Sequence, residues 1–319
     1  MNMMKVLLGN LVNVKTGKLD ANQADINGKY PFFTCSKEIS KINSYSYDCE
    51  CVLIAGNGDL NVKYYNGKFE AYQRTYILTS IDSNSLSNKY LYWFMNRYIV
   101  QLRNQSIGGV IKYIKLGDLT NISLSLPTID DQRRIVRIFE SIERLISKKV
   151  FILKALDDLI KSRFVEMFGD IRERGRFKAR KWKDVLDIFN GKDYKAVQVD
   201  KGGYPVYGSG GIIARANDYI CPAGTIIIGR KGSINNPILV NEKFWNVDTA
   251  FGIVPKEIIN ISYLYYFCKH YNFNYLNKAT TLPSLTKRDL LEIEINIPDL
   301  EEQVKFSGYV NQINKLKFA

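Results

Sequence analysis

The sequence predicts an α+β fold in which two tandem β-rich domains are separated by long helices that form an antiparallel coiled-coil spacer. Three observations favour this class. The chain repeats its own motifs in one order, each copy contains short apolar runs bounded by Gly, Asn and Pro turn residues, and each copy closes on a proline that precedes a helical pattern. A chain of 319 residues is long enough for two domains with separate cores.

The repeat is the strongest signal in the chain. The segment VLIAGNG at residues 52–58 recurs 174 residues later as IIIGRKG at residues 226–232, and Gln132 recurs 171 residues later as Gln303. Three further anchors keep the same order: GKYP (28–31) with GYP (203–205), YLYWF (90–94) with YLYYF (263–267), and LTNISLSLP (119–127) with LLEIEINIP (290–298). Two copies indicate a duplicated domain rather than a solenoid, which needs at least three repeats.

Each copy predicts the same elements in order. The continuous apolar runs at residues 51–55 and 225–228 predict buried strands, each followed by a glycine-containing loop. Aromatic-rich helices are expected at residues 88–103 and 262–274. The alternating runs at residues 121–126 and 292–297 predict half-buried strands that close each copy.

A long helix is expected after Pro127. Thr128 can cap it, two aspartates lie in its first turn, and Gly169 is placed to end it after Phe168. Forty residues make a rod of roughly 60 Å. Its apolar residues recur in steps of three and four, as in a heptad seam, and its length disfavours an amphipathic helix packed on a globular core. The predicted helix-pairing residues are Ile135, Ile138, Ile142, Leu145, Ile152, Leu156 and Leu159, with Phe306, Tyr309, Ile313 and Leu316 in the second copy.

The second long helix, residues 299–319, has half the length of the first, so part of the first seam is expected to lack a partner within the chain. We predict five segments: residues 1–127 and 184–298 as the two β-rich domains, 128–169 as the long central helix, 170–183 as a basic linker, and 299–319 as the short distal helix. The linker is interpreted either as a solvated connection or as a phosphate contact.

Composition limits the classes of function. The net charge of +13 favours a polyanionic partner, although a merely basic soluble protein is the alternative. Five cysteines, an odd number without a C-x-x-C pair, predict a reducing cytoplasm rather than a disulfide scaffold or a structural zinc site. The first nine residues do not resemble a signal peptide, and no apolar run reaches the length of a membrane span, so no membrane partner is expected.

Catalytic motifs are missing or incomplete. His270 is the only histidine, which disfavours histidine-based triads and H-E-x-x-H metal sites. The spacing of Gly224 and Gly229 suits a P-loop, but Arg230 follows where the motif needs Lys. Asn236-Pro237 lacks the second proline and the aromatic residue of a methyltransferase loop. The sequence therefore predicts recognition rather than catalysis, with no metal.

Polar and basic residues follow the matching strands. Asn and Arg can bond base edges bidentately, and Lys suits phosphate. The two copies share a frame but differ in these residues, as expected of two readers of different DNA sequences; loop drift without function is the alternative. The predicted DNA-binding residues are Lys18, Asn57, Asn61, Lys63, Tyr64, Lys112 and Lys115 in the first copy, and Lys192, Arg230, Lys231, Asn235, Asn236, Lys278, Thr281 and Lys287 in the second.

These motifs and their order resemble the specificity subunit of type I restriction–modification systems over essentially the whole chain. The resemblance is carried by the G-x-Y-P-type turn, the VLIAGNG and IIIGRKG loops, the closing segments LSLPTIDDQRRI and INIPDLEEQVKF, and the long helix ending LIKSRFVEMFGD. It implies two target-recognition domains, each reading one half of a bipartite DNA site, and paired helices that set the gap between the half-sites.

The resemblance also implies the partners. The subunit does no chemistry and holds no cofactor. It docks two modification subunits, which methylate adenine with S-adenosylmethionine after flipping the base, and restriction (motor–nuclease) subunits join for cleavage.

The short distal helix departs from the family pattern. It predicts either a truncated or phase-varied inactive product, or self-association through the unpaired seam from Ile152 to Leu159. A stand-alone DNA-binding regulator and a nuclease fragment are the other hypotheses. We further predict that Lys63 and Lys231 contact phosphate and that Asn61 and Asn235 read bases.

Overall fold

The structure is a computed structural model that describes residues 5–108, 111–171, 176–277 and 283–318. It divides into two compact units, which we call unit 1 (Met1–Lys148) and unit 2 (Lys149–Ala319). The division falls inside the long central helix, 20 residues beyond its first residue, Ile129. Each unit combines helices with mainly antiparallel sheets that include one parallel strand pair per unit, which confirms the predicted α+β class.

Unit 1 is built on a six-stranded sheet with the order β2-β7-β5-β6-β3-β4, while β1 pairs separately with β8. The predicted buried run, residues 51–55, is the end of β5, and none of its side chains is more than 2% exposed. The strands are β1 (Lys5–Leu7), β2 (Val12–Thr16), β3 (Tyr30–Phe33), β4 (Ser40–Ile42), β5 (Tyr47–Ala55), β6 (Val62–Ala71), β7 (Thr75–Ser80) and β8 (Ser123–Ser125).

Unit 2 splits the same arrangement into two four-stranded sheets, β10-β17-β14-β15 and β11-β13-β12-β16, with β18 paired to β9. Its strands are β9 (Lys178–Lys181), β10 (Leu186–Asn190), β11 (Gln198–Val199), β12 (Tyr204–Gly208), β13 (Gly211–Ala216), β14 (Thr225–Gly229), β15 (Ile238–Val240), β16 (Trp245–Asn246), β17 (Ala250–Pro255) and β18 (Glu294–Ile297). The central triplet β10-β17-β14 matches β2-β7-β5, so the duplication seen in the sequence is a duplication of topology.

The helices follow the predicted pattern. They are α1 (Asn88–Gln105), α2 (Leu116–Thr120), α3 (Ile129–Phe168), α4 (Trp182–Val185), α5 (Ile261–His270), α6 (Lys287–Leu291) and α7 (Leu300–Phe318). The long helix α3 begins where Thr128 Oγ1 accepts the Asp131 amide at 3.2 Å and ends at Gly169, whose φ of +80° suits glycine. The second aromatic helix is shorter than predicted, because α5 ends at His270 and a 3-10 turn replaces its last residues.

Two buried glutamines fasten the start of α3 and of α7. Gln132 Nε2 donates to the carbonyls of Ser85 and Pro127 at 2.8 and 3.0 Å, and its Oε1 accepts the Ser87 amide at 3.0 Å. Gln303 repeats all three bonds, with the Ile258 and Pro298 carbonyls at 3.2 and 2.8 Å and the Asn260 amide at 2.8 Å. Both glutamines are fully buried. The repeated glutamine is therefore a structural lock that ties each helix to its own unit.

Within unit 2, α3 and α7 run antiparallel. Lys317 pairs with Asp157 at 2.6 Å at one end, and the rings of Phe306 and Phe164 lie 5.5 Å apart at the other. On α7 the predicted Phe306 and Ile313 are buried, Tyr309 is half-buried and Leu316 is 57% exposed.

The buried face of α3 differs from the predicted seam. Leu156 packs against the core of unit 2, but Ile152 and Leu159 are 49% and 45% exposed. The buried residues are Ile160, Phe164 and Phe168, which recur every four residues because this stretch packs broadly on α5 and α7 rather than along a narrow heptad seam. In unit 1, Ile135 packs against the core, whereas Ile138, Ile142 and Leu145 are exposed.

Candidate nucleic-acid interface

The structure brings together two of the predicted clusters in unit 1. The glycine loop after β5 lies beside the segment that precedes α2, since Gly58 N donates to Lys112 O at 2.8 Å and Ile114 N donates to Gly56 O at 3.0 Å. Asn57 and Tyr113 form a β-bridge between the same segments. Both clusters therefore belong to one surface at the end of the sheet.

Unit 2 builds the matching surface with matching bonds. Gly232 N donates to Pro283 O at 3.1 Å, and Leu285 N donates to Arg230 O at 2.8 Å. Lys231 bridges to Ser284. Lys278 and Thr281, both predicted to bind DNA, lie outside the described residues.

A third segment, the Gly-Lys pair after the first long strand of each unit, joins this surface. Lys18 N donates to Ala71 O at 3.2 Å, and Lys192 N donates to Asn246 O at 3.0 Å. The preceding glycines allow the approach, because a Cβ at Gly17 would lie 2.1 Å from the Ala71 carbonyl oxygen. At Gly191 it would lie 1.8 Å from the Val247 carbonyl oxygen.

This contact brings in a segment that sequence reasoning missed. In unit 1 it is the turn between β6 and β7, with the exposed side chains of Gln73 and Arg74; in unit 2 it is the turn between β16 and β17, with Asp248. The repeat could have revealed it, since the two turns occupy equivalent places between matching strands. The sequences of the two turns do not resemble each other, so they form no recognisable repeat motif.

The surface of each unit, taken separately, is cationic and open to solvent. Within the described residues no ion pair neutralises the exposed ammonium groups or the Arg230 guanidinium. Arg230 Nη1 donates only to the Asp248 carbonyl, at 3.3 Å. Unpaired cations of this kind attract phosphate. The exposed predicted residues are Lys18, Lys112 and Lys115 in unit 1, and Lys192, Arg230, Lys231, Asn235 and Asn236 in unit 2.

Two predicted residues at the start of β6, Asn61 and Lys63, form hydrogen bonds within unit 1. Asn61 Nδ2 donates to Cys35 O at 2.8 Å, and the Lys63 ammonium donates to Ser36 O at 2.6 Å and to Asn61 Oδ1. Burial lowers the pKa of Lys63. These bonds hold the loop, so their role toward DNA stays a prediction.

Tyr64 lies away from the loop cluster. Its hydroxyl donates to Glu50 Oε1 at 2.8 Å, and its ring lies 6.2 Å from that of Tyr92 on α1. Burial and the neighbouring Glu50 carboxylate raise the pKa of this phenol. Successive side chains of a strand face opposite sides, so β6 turns Tyr64 toward the helices.

In unit 2 two predicted residues are also engaged. Asn235 Oδ1 accepts the Phe273 amide at 2.7 Å, and the Lys287 ammonium donates to Ile188 O at 2.7 Å. Asn236, the next residue after Asn235, is exposed.

The sole histidine is a packing residue. The ring of His270 stacks on Phe164 with 4.8 Å between centroids. Burial lowers its pKa, and Lys161 adds to the effect while Asp170 opposes it. In the part of the chain that the structure describes, no three His, Cys, Asp or Glu side chains are grouped as a metal site would require. No described helix is long and apolar enough to span a membrane.

Comparison with known proteins points to one family. The model of the type I restriction modification DNA specificity domain matches residues 1–155 and 175–317, one match for each copy of the repeat. The EcoDI type I specificity subunit of Escherichia coli is 46% identical over 130 residues, a stretch covering 41% of this chain but 29% of that protein. The MjaVIII type I specificity subunit of Methanocaldococcus jannaschii is 23% identical and covers 98% of this chain and 86% of its own.

Solved structures share the fold. The S subunit of a type I restriction–modification system from M. genitalium superposes with a TM-score of 0.70 at 16% identity, covering 99% of this chain and 90% of that one. A chain from a structural study of type I complex assembly gives a TM-score of 0.57 at 17% identity, covering 98% and 90%. Family models matching both copies confirm the resemblance inferred from the motifs, and the chain therefore belongs to the family of type I restriction–modification DNA specificity subunits.

Proposed function

We propose that this chain is the non-catalytic specificity subunit of a type I restriction–modification complex and that each unit reads one half of a bipartite DNA site. The observation that best supports the proposal is the pair of loop clusters. They stand on matching hydrogen-bonded frames, yet unit 1 carries Asn57 where unit 2 carries Lys231. Two readers with one frame and different side chains suit two different half-sites, because side chains at base edges set sequence preference.

The long helices are proposed to set the gap between the half-sites. The 40 residues of α3 contribute to both units, and α7 pairs antiparallel with its second half. A continuous helix is the stiffest connection a chain can make between two reading units, so it would hold the spacing constant.

The same helices are the proposed docking site of two adenine methyltransferase subunits. Ile146, Val150 and Phe151 of α3 are 59%, 61% and 72% exposed, and apolar side chains of this size typically mark protein interfaces. S-adenosylmethionine would bind to those partner subunits, and motor–nuclease subunits would join them for restriction. All five cysteines are free thiols, which fits a cytoplasmic complex.

A second copy of this chain is the competing occupant of the exposed side of α3. Light scattering separates the two: a mass that doubles with concentration, and no longer doubles in the Phe151→Asp variant, would favour the second copy. A mass that stays that of one chain at high concentration, with binding to the methyltransferase, supports the docking proposal.

The proposal is tested by sequencing methylated DNA. The chain is co-expressed with the methyltransferase subunit encoded beside it in a host free of methylation, and modified adenines are mapped. A bipartite asymmetric motif is the expected result. A symmetric motif would mean that one unit reads twice, and no motif beside an active related complex would contradict the proposal and favour a stand-alone regulator.

A further inference from the structure

The turn between β6 and β7 is held rigidly within the DNA-facing surface of unit 1. Gln73 N donates to Leu19 O at 2.9 Å, and Gly56 N donates to Arg74 O at 2.8 Å. A Cβ at Gly56 would lie 2.5 Å from that Arg74 oxygen, so the strand end and the turn are in direct backbone contact. The turn is therefore fixed by its backbone and leaves its side chains free.

The side chains of Gln73 and Arg74 are available to bind a ligand. Gln73 and Arg74 are both exposed, and among the described residues neither side chain takes part in a hydrogen bond or an ion pair. Together with Thr16 and Tyr113 they border a cleft of about 150 Å³. Because the backbone of the turn is already fixed, binding through these two side chains would cost their rotamer entropy but no loop-ordering entropy.

In unit 2 an arginine lies at the equivalent contact between the strand end and the turn, but the strand end supplies it. Arg230 N donates to Thr249 O at 2.8 Å, the counterpart of the bond from Gly56 to Arg74. The Arg230 guanidinium reaches across to the turn carbonyl of Asp248 at 3.3 Å. In unit 1 the strand end is neutral and the turn carries the arginine; in unit 2 the strand end carries the arginine and the turn does not.

Both units therefore have one arginine at this contact, but it belongs to the turn in unit 1 and to the strand end in unit 2. Two hydrogen-bonded backbone segments meet there, and in each unit one of them supplies a guanidinium beside the Gly-Lys pair and the glycine loop. An arginine fork donates bidentately to O6 and N7 of guanine in the major groove, and the amide of glutamine pairs with adenine.

We propose that Arg74, assisted by Gln73, is the base-reading element of unit 1, equivalent to Arg230 in unit 2, and that its ligand is the guanine edge of a base pair in duplex DNA. The inference rests on the proposed function and goes further by assigning the reading residue, which replaces the asparagines of the glycine loop in that role for unit 1.

The test compares methylated motifs made by the full chain with its methyltransferase subunit. Arg74→Ala should reduce discrimination at one guanine of one half-site by about 10- to 100-fold and leave the other half-site unchanged. Arg230→Ala should do the same in the other half-site. Lys41→Ala, an exposed cation on β4, is the matched control and should change neither half.

Arg74→Lys separates base reading from charge and also covers the case in which the alanine variant fails to fold. It keeps the cation but loses the fork, so base preference should fall while total methylation at low salt is retained. An unchanged motif, or an equal loss at every site without a change of preference, would overturn the inference. A wild-type complex that marks no motif would instead contradict the proposed function itself.

Discussion

The aromatic helices of the two units, α1 and α5, differ in how far their aromatic faces are buried. In unit 2, Phe164 of α3 is 1% exposed and stacks on Tyr263 of α5 with 5.5 Å between ring centroids. In unit 1 the equivalent face of α1, with Trp93 and Phe94, borders a cleft of about 680 Å³, and Phe139 of α3 on its wall is 40% exposed. The equivalent helix face is thus closed in unit 2 and left half-buried in unit 1.

The two units share the same arrangement of strands and helices, but among the described residues only unit 2 has a helix segment that covers the aromatic face. The face of α5 and α7 is closed by the second half of α3, which belongs to unit 2. No described residue closes the cleft on α1 and the start of α3 in the same way. An apolar face exposed on this scale favours a binding partner.

The largest expected effect tests the covered face. Phe164→Ala should destabilise unit 2 by about 3–5 kcal/mol, because it leaves a cavity in a closed core. Phe139→Ala is the matched control in unit 1 and should cost about 1 kcal/mol, since it removes mainly a stacking contact with Trp93.

Thiol labelling during unfolding in urea reports each unit separately. Cys268, 1% exposed, belongs to the core that contains Phe164, and Cys51, fully buried, belongs to unit 1. Burial raises the pKa of both thiols, which further slows reaction of the folded state. Equal effects of the two phenylalanine variants would remove the distinction between covered and open faces.

Replacing the two buried glutamines should destabilise the two units by similar amounts. Gln132→Leu and Gln303→Leu each strand buried backbone groups, and we expect a loss of about 3 kcal/mol in the unit affected. Cys51 labelling should report the first variant and Cys268 the second. The replacement is apolar and similar in size, so the change measures hydrogen bonding rather than volume. If only one of the two variants destabilised its unit, the two glutamines would not be equivalent.

Adding a Cβ to the glycine of each Gly-Lys pair should affect DNA sequence preference more than stability. Gly17→Ala and Gly191→Ala push a Cβ into a carbonyl oxygen, with an expected cost of about 2 kcal/mol and a displaced turn. Each variant should relax one half of the methylated motif. Gly210→Ala, with no atom within 4 Å of the added Cβ, is the control. Relaxation of both halves by either variant would contradict separate reading.

The smallest expected effect is on the salt dependence of DNA affinity when Lys231 or Lys63 is replaced. Lys231 is exposed, so Lys231→Ala should reduce the slope of log affinity against log salt concentration by about 1. Lys63→Ala should change it less, because its ammonium is held by the Ser36 carbonyl at 2.6 Å. Titration of duplex binding at several salt concentrations measures both. A slope that falls equally for the two would support Lys63 as a phosphate contact.

Local pattern was enough for the elements and for part of the site. The caps and glycine bounded α3 at Ile129–Phe168, and the repeat placed the glycine loops and the segments before α2 and α6 in equivalent positions. Asn61 and Asn235 show the limit. Their side-chain chemistry suits base edges, but the sequence does not tell that Cys35 and Phe273 lie close enough to bond them.

The sequence by itself determined the duplication, the order of the buried strand, aromatic helix, closing strand and long helix in each copy, and the basic loops, because these depend on residue type and short-range spacing. Only the tertiary structure decided which face of α3 is buried, which helix face is covered, and that the turn of Gln73 and Arg74 joins the glycine loop. Those outcomes depend on contacts between residues far apart in the chain. A helix period fixes which side chains share a face but not which face meets a neighbour.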